Sequence, residues 1–222
     1  MHNLKVELEK YPQKDIAKNL FEGFSYGFKL NYHGHRLPVE SKNLKSVLQH
    51  PDIALEKVEN EIKLGRIAGP FQYQPISNLR CSPIGVVPKK TSGWRLITHL
   101  SYPKFGSVND FIDEKYTKVQ YSSFDNAVSL VNNLGEGALI AKKDIKSAFR
   151  LLPIYPADFG LLGFKIGPNY YIDKCLPMGC SISCSTFEQF STFIHWLVCQ
   201  KSGSNNLDHY LDDFFFAGKA TV

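Results

Sequence analysis

The chain is 222 residues long, enough to bury a sizeable core as one large domain or two small ones. Its net charge of +5 is modest but uneven: residues 1–120 carry 18 Lys and Arg against 12 Asp and Glu, and residues 121–222 carry 8 against 9. Five cysteines, an odd number without CxxC spacing, argue against a disulfide framework, and no run approaches the ~18–20 apolar residues of a membrane span. A basic amino-terminal part ahead of an acidic cluster suits a protein that guides phosphates towards cations, although such an excess is also ordinary for a soluble domain.

In chain order, residues 1–22 read as a charged lead-in or a short helix. Tyr26 to Pro38 is a Gly- and aromatic-rich loop. Pro51 to Gly65 predicts a helix, with Ile53, Ala54, Leu55, Val58 and Ile62 on one stripe and Gly65 ending it. Gly69 to Pro83 reads as loop. Ile84 to Val87 and Trp94 to Ile97 read as two strands of a hairpin turning through Lys89 to Gly93. Pro103 to Lys118 is irregular.

From Ser122 the pattern is compact α+β. Ser123 can cap a helix bearing Phe124, Ala127, Val128, Val131 and Leu134, closed by Gly135. A strand from Ala138 follows, then a short helix from Pro156. Strands at about 162–166 and 170–175 join through Gly167-Pro168-Asn169. A longer helix spans about Ser181 to Lys201, with Ile182, Phe187, Phe190, Ile194, Leu197 and Val198 inward. Cys175, Cys180 and Cys184 fit no common zinc spacing and read as packing residues.

The chemistry concentrates near the carboxyl end. Tyr210-Leu211-Asp212-Asp213 places two acidic residues between strand-like runs, the pattern of a hairpin with the pair at its turn. Asp-Asp is good turn chemistry in its own right. It is also a pair of like charges that a fold gains little from without a cation between them. Asp144, at the carboxyl end of a strand expected to be buried, supplies a third carboxylate. Three carboxylates from two strand ends can hold a pair of Mg²⁺ ions, which take oxygen ligands and keep positions open for phosphate.

With these residues the sequence resembles the reverse transcriptases. Asp144 to Ile154, then Leu176-Pro-Met-Gly-Cys-Ser-Ile-Ser183, then Tyr210 to Asp213 look like three successive palm motifs. Ser82 to Lys90 followed by Gly93-Trp-Arg-Leu-Ile97 looks like the fingers motif. Glu40 to Lys45, Gly65 to Phe71, His99 to Pro103 and Lys174 to Cys184 resemble in detail the enzymes of DIRS-like and Ngaro-like tyrosine-recombinase retrotransposons. The resemblance runs from about Gly23 to Gly218.

It implies an α+β right-hand polymerase. Residues 1–22 would be a lead-in, 23–120 a fingers-like region, and 121–222 a palm built as a ferredoxin- or RRM-like antiparallel sheet backed by helices. The implied activity is RNA-directed DNA synthesis by two-metal nucleotidyl transfer from a dNTP to a primer 3′-hydroxyl. Asp144, Asp212 and Asp213 would be both catalytic and metal-holding, with two Mg²⁺ or Mn²⁺ in their place. Lys90 and Arg95, with Lys89 as the alternative lysine, would contact the triphosphate. Phe149 would be the steric gate against a 2′-hydroxyl, and Met178-Gly179 would contact the incoming nucleotide and template. Many retroviral relatives carry Gln where Met178 stands. Without the resemblance, Phe149 would read as a core aromatic, Trp94 as packing, and Lys89-Lys90 as a solvated hairpin tip.

The implied partners are an RNA or DNA template with primer, dNTPs, and further domains of the same polyprotein: thumb, RNase H and recombinase. The sequence ends just after the catalytic hairpin, so the thumb is expected to be absent and the chain a poor polymerase alone. Two other readings compete. One is a truncated, inactive product that only binds nucleic acid or a partner. The other is an RNA-dependent RNA polymerase, which Phe149 and Tyr-Leu-Asp-Asp disfavour. The absence of a signal or membrane segment gives an intracellular expectation, cytoplasmic or nuclear.

Overall fold

The computed structural model describes residues 1–90 and 92–219. Thr91, in the expected fingers turn, and residues 220–222 lie outside the described residues. In chain order the elements are α1 His2–Lys10, α2 Lys14–Tyr26, β1 Val39–Glu40, α3 Lys45–Gln49, α4 Pro51–Lys63, β2 Ile67–Phe71, β3 Arg80–Cys81, β4 Ile84–Pro88 and β5 Trp94–Thr98. They continue with α5 Phe124–Leu134, β6 Leu139–Asp144, β7 Gly163–Ile166, β8 Asn169–Asp173, α6 Ser183–Ser202, β9 Leu207–Tyr210 and β10 Asp213–Gly218. The fold is mixed α+β. It packs as two compact units that cut across the chain order: Met1–Glu22, Lys118–Ala148 and Cys184–Val222 form one, and Gly23–Thr117 with Phe149–Ser183 the other.

The second of these units is built on a five-stranded sheet of order β1-β3-β7-β8-β2 and the separate β4–β5 hairpin. β7 and β8 pair antiparallel through the Gly167 turn, as their sequence predicts. The expected loop over 69–83 is instead partly strand: β2 pairs with β8, and β3 lies between β1 and β7. These pairings rest on distant partners, which no local signal carries. The core gathers Val47, Ala54, Val58, Ile67, Ile84, Val86, Phe164 and Tyr171, the last two stacked with centroids 5.2 Å apart. Ala54 and Val58 are the inward stripe of α4, and Ile53 and Ile62 pack beside them; Leu55, expected on that stripe, is exposed. Pro51 opens α4, and Gly65 (φ +72°) follows its end in the left-handed conformation that glycine tolerates best.

The other unit holds the antiparallel sheet β6-β10-β9. Leu207, His209 and Phe214 are buried. Residues 1–22 are an ordered part of this unit: Tyr11 meets Phe193 and Trp196 edge-on at 5.4 and 5.1 Å, and Glu7 pairs with Lys201 at 2.7 Å. On α6, Phe187 and Phe193 are the buried aromatics, and Phe190, Ile194, Leu197 and Val198 are only partly covered.

The expected burial of β6 fails here, while α5 forms as its sequence predicts, with Ser123 at its start and Gly135 at its end. β6 is exposed along its whole length, Leu139 and Ile140 included, because α5 lies over β9 and β10 and leaves it uncovered. α5 itself has no buried residue and Phe124 is 82% exposed, since its apolar stripe borders an apolar cavity of about 630 Å³ rather than packed side chains. Ser123 stands at the N-cap of α5 without a side-chain cap bond.

Candidate active site

The register of β6 against β10 sets the three carboxylates. Asp144, the last residue of β6, lies directly opposite Asp213, the first of β10. Tyr210 pairs with Asp213 on the other side, so Leu211-Asp212 is a two-residue turn. Leu211 takes φ +53°, unusual for a branched side chain and closer to what a tight hairpin demands than to what Leu prefers. The turn is tied to β6 by the Ile145 N–H, which donates to the Asp212 carbonyl at 2.8 Å. Tyr210 packs on Tyr121 with centroids 4.7 Å apart.

Directly opposed residues of an antiparallel pair have Cβ atoms roughly 4.5–5.5 Å apart, so the Asp144 and Asp213 charges repel across the ladder. Lys142, two residues back and on the same face of β6, answers part of that charge: its Nζ lies 3.0 Å from Asp213 Oδ1. Burial pushes the Asp212 carboxyl up from its ordinary range, and the neighbouring Asp144 and Asp213 push it further. Among the described residues, the oxygens of Asp144, Asp212 and Asp213 do not all gather within 4.8 Å of one another. Mutual repulsion and the pull of Lys142 on Asp213 account for the spread.

The remaining candidates lie in the other unit. Lys89 and Lys90 are exposed beyond the end of β4, where the Lys89 N–H donates to the Gly93 carbonyl at 2.9 Å. Arg95 is exposed on β5 opposite Val87. Trp94 packs against the core and lies 4.5 Å from the His50 ring, a packing role. Phe149 is partly buried in the turn Ala148–Leu151.

That turn is held by Arg150. Its Nη1 donates to both oxygens of the buried Asp173, at 2.7 and 2.8 Å, and its Nε donates to Glu61 at 2.9 Å. Burial pushes the Asp173 carboxyl up to about 6 against the pull of Arg150; at neutral pH the pair is ionised. Burial also works against the Arg150 charge, but Asp173 and Glu61 outweigh it and hold the guanidinium above its usual range.

The Met178-Gly179 turn is pinned from two sides. The Thr98 N–H donates to the Met178 carbonyl at 3.2 Å, and the Asn109 amide donates to the Gly179 carbonyl at 2.8 Å while accepting the Ser181 N–H at 3.0 Å. Gly179 has φ +111°, and a Cβ there would run into the Thr98 carbonyl oxygen. Only glycine fits that position.

Sequence reasoning missed Lys142, Arg150 with Asp173, and Asn109. The first was findable, since residues i and i+2 of a strand share a face. The others act on segments 23 to 89 residues away and leave no local trace.

No family model matches the chain. Over 171 residues, 74% of this chain, it is 26% identical to the Gag-Pro-Pol polyprotein of sheep pulmonary adenomatosis virus, of which it spans 9%. Its fold is similar to part of the solved protease-reverse transcriptases. The native prototype foamy virus protein superposes with a TM-score of 0.56 at 16% identity, over 86% of this chain and 23% of that one. A foamy viral form in complex with double-stranded DNA gives 0.56 at 16% identity, over 86% and 30%. A selenomethionine-labelled mutant of the prototype foamy virus protein gives 0.58 at 18% identity, over 98% and 29%. Among the described residues, no helix is long and apolar enough to cross a membrane.

Proposed function

We propose that this chain carries the fingers and palm of an RNA-directed DNA polymerase from a tyrosine-recombinase retrotransposon, and that it extends a primer on an RNA or DNA template. The observation that carries the reading is the register that sets Asp144 opposite Asp213 with Asp212 in the adjoining turn. The donor set fits Mg²⁺: three hard carboxylates, one of them already burdened by burial and by its two acidic neighbours, which a cation would relieve. Releasing Asp213 from Lys142 costs little, because exposed pairs contribute about 0–1 kcal/mol. Two such ions, when bound, stabilise the attacking and leaving oxygens of an in-line phosphoryl displacement.

The chain's own side chains then do the rest. Lys89, Lys90 and Arg95 grip the triphosphate, with Arg95 offering a planar fork to its oxygens. Phe149 excludes a 2′-hydroxyl by bulk, and the Arg150 clamp next to it keeps that ring from yielding. Gly179 lets nucleotide or template approach the backbone, and Met178 contributes contact without a hydrogen bond.

Primer extension by the purified chain with Mg²⁺ and each of dNTP and rNTP tests this directly. Extension with dNTP that disappears with chelator and in Asp212→Asn is the expected result. A second reading, a chain that only binds nucleic acid, is favoured by the Lys142–Asp213 pair and the spread carboxylates. Duplex binding with no metal-dependent extension, even with Mn²⁺, would select it.

A further inference from the structure

A second donor cluster lies in the same unit as the three aspartates but is made of different chemistry. His195 on α6 and Asp208 and His209 on β9 bring three ligand atoms within 4.8 Å of one another. The two histidines face each other through Nδ1, 2.8 Å apart, with their rings at 77°. His209 is 9% exposed, and its other nitrogen, Nε2, is 3.2 Å from Oε1 of Glu188, itself 8% exposed. The second oxygen of Glu188 has no hydrogen-bond partner, and neither has His209 Nε2 itself, so the 3.2 Å approach is a charge contact without hydrogen-bond alignment.

That arrangement biases the tautomer. A carboxylate beside Nε2 favours the proton on that nitrogen, which leaves the Nδ1 lone pair of His209 pointing at His195. Two lone pairs facing at this distance repel unless a proton or a cation lies between them. A carboxylate behind the far nitrogen of a ligating imidazole is the usual outer support of a metal-bound histidine. Asp208, next in sequence, has Oδ1 on the His209 N–H at 2.8 Å and Oδ2 on the Ser122 hydroxyl at 2.6 Å, so its carboxylate is held in place and keeps free lone pairs.

We propose that His195, Asp208 and His209 form a site for a borderline transition-metal ion, Zn²⁺ foremost, that clamps α6 to the edge strand β9. Two imidazoles and a carboxylate suit such an ion and not Mg²⁺. With Zn–N bonds of about 2.0–2.1 Å, two nitrogens on a tetrahedral ion stand roughly 3.3 Å apart. The rings must therefore part by about 0.5 Å, which side-chain rotation supplies. The fourth position opens on a cavity of about 440 Å³ lined also by Thr192, Trp196 and Cys199. His209 lies three residues before Asp212, so a clamp here fixes the strand that delivers the acidic turn. The inference stands independently of the polymerase reading.

The test uses the untagged full chain carrying Asp212→Asn, so that the acidic turn does not compete, stripped with chelator and titrated with ZnCl₂ by calorimetry. One Zn²⁺ per chain with a Kd below about 1 µM, undisturbed by millimolar Mg²⁺, is expected, with Co²⁺ giving the visible absorption of a tetrahedral site. His195→Gln and Asp208→Asn should each weaken binding tenfold or more, and Glu188→Gln by about 10–100-fold through loss of the outer support. Circular dichroism of each variant keeps misfolding separate from ligand loss. No binding at 100 µM Zn²⁺, or equal affinity in folded His195→Gln and Asp208→Asn chains, would overturn the site and leave a shared proton between the two rings.

Discussion

Replacing Arg150 with Met removes the only cation that directly bonds the buried Asp173 among the described residues, while keeping most of the aliphatic bulk. Breaking a buried pair from one side leaves an uncompensated charge and costs about 3–5 kcal/mol. At roughly 2–4 °C per kcal/mol for a chain of this size, Tm should fall by about 6–20 °C at neutral pH. The loss should depend on pH in a defined sense. Asp173 already titrates at about 6 in the presence of Arg150, and without it the folded carboxyl must rise further, while the unfolded one stays near ~3.9. A carboxyl raised by folding binds a proton that the unfolded chain has released, so stability falls as pH climbs through that interval. The penalty should be smallest near pH 4 and full only above the folded value. Arg150→Met/Asp173→Leu should recover most of it. The two tryptophans lie in different units, Trp94 in one and Trp196 in the other. Urea unfolding in a Trp196→Phe background, followed through Trp94, therefore reads the unit that contains the pair. A penalty below about 1 kcal/mol at pH 7, or one flat from pH 4 to 8, would show that Asp173 does not depend on Arg150.

Three shorter predictions accompany it. Gly179→Ala should destabilise the chain by at least ~1 kcal/mol and reduce nucleotide affinity, because a Cβ meets the Thr98 carbonyl; wild-type melting and affinity would refute the pinned-turn account. Phe149→Val should raise ribonucleotide incorporation in single-nucleotide assays without altering metal affinity, and unchanged dNTP/rNTP discrimination would reduce Phe149 to a packing residue. Lys142→Gln should free Asp213 and tighten Mn²⁺ binding by up to about fivefold, the scale of an exposed ion pair, as read by calorimetry.

What could be read from the sequence follows how far each signal must reach. The α4 helix announced itself through Pro51 and Gly65, and β7–β8 through Gly167, because punctuation and periodicity are local. The strand leading to Asp144 and the turn at Asp212 were likewise legible, from an apolar run and from turn chemistry. β2 and β3 were not, since Gly69 and Pro70 read as loop and become strand only against Tyr170 to Asp173. The docking of residues 1–22 depends on Tyr11 meeting two aromatics on α6, far along the chain. The exposure of β6 runs against its apolar start, Leu139-Ile140-Ala141, which marks a strand but not whether anything covers it.

An uncovered edge strand has a colloidal consequence. The outer rim of β6 offers unpaired backbone groups, and its two halves differ in protection. Lys142 and Lys143 guard one half by charge, whereas Leu139, Ile140 and Ala141 leave the other without a gatekeeper. Copies of this chain that meet rim to rim should therefore zip from the Leu139 end, and added salt, by screening the two lysines, should hasten it. Storage at low ionic strength, or a lysine placed at Ile140, is the remedy this geometry dictates.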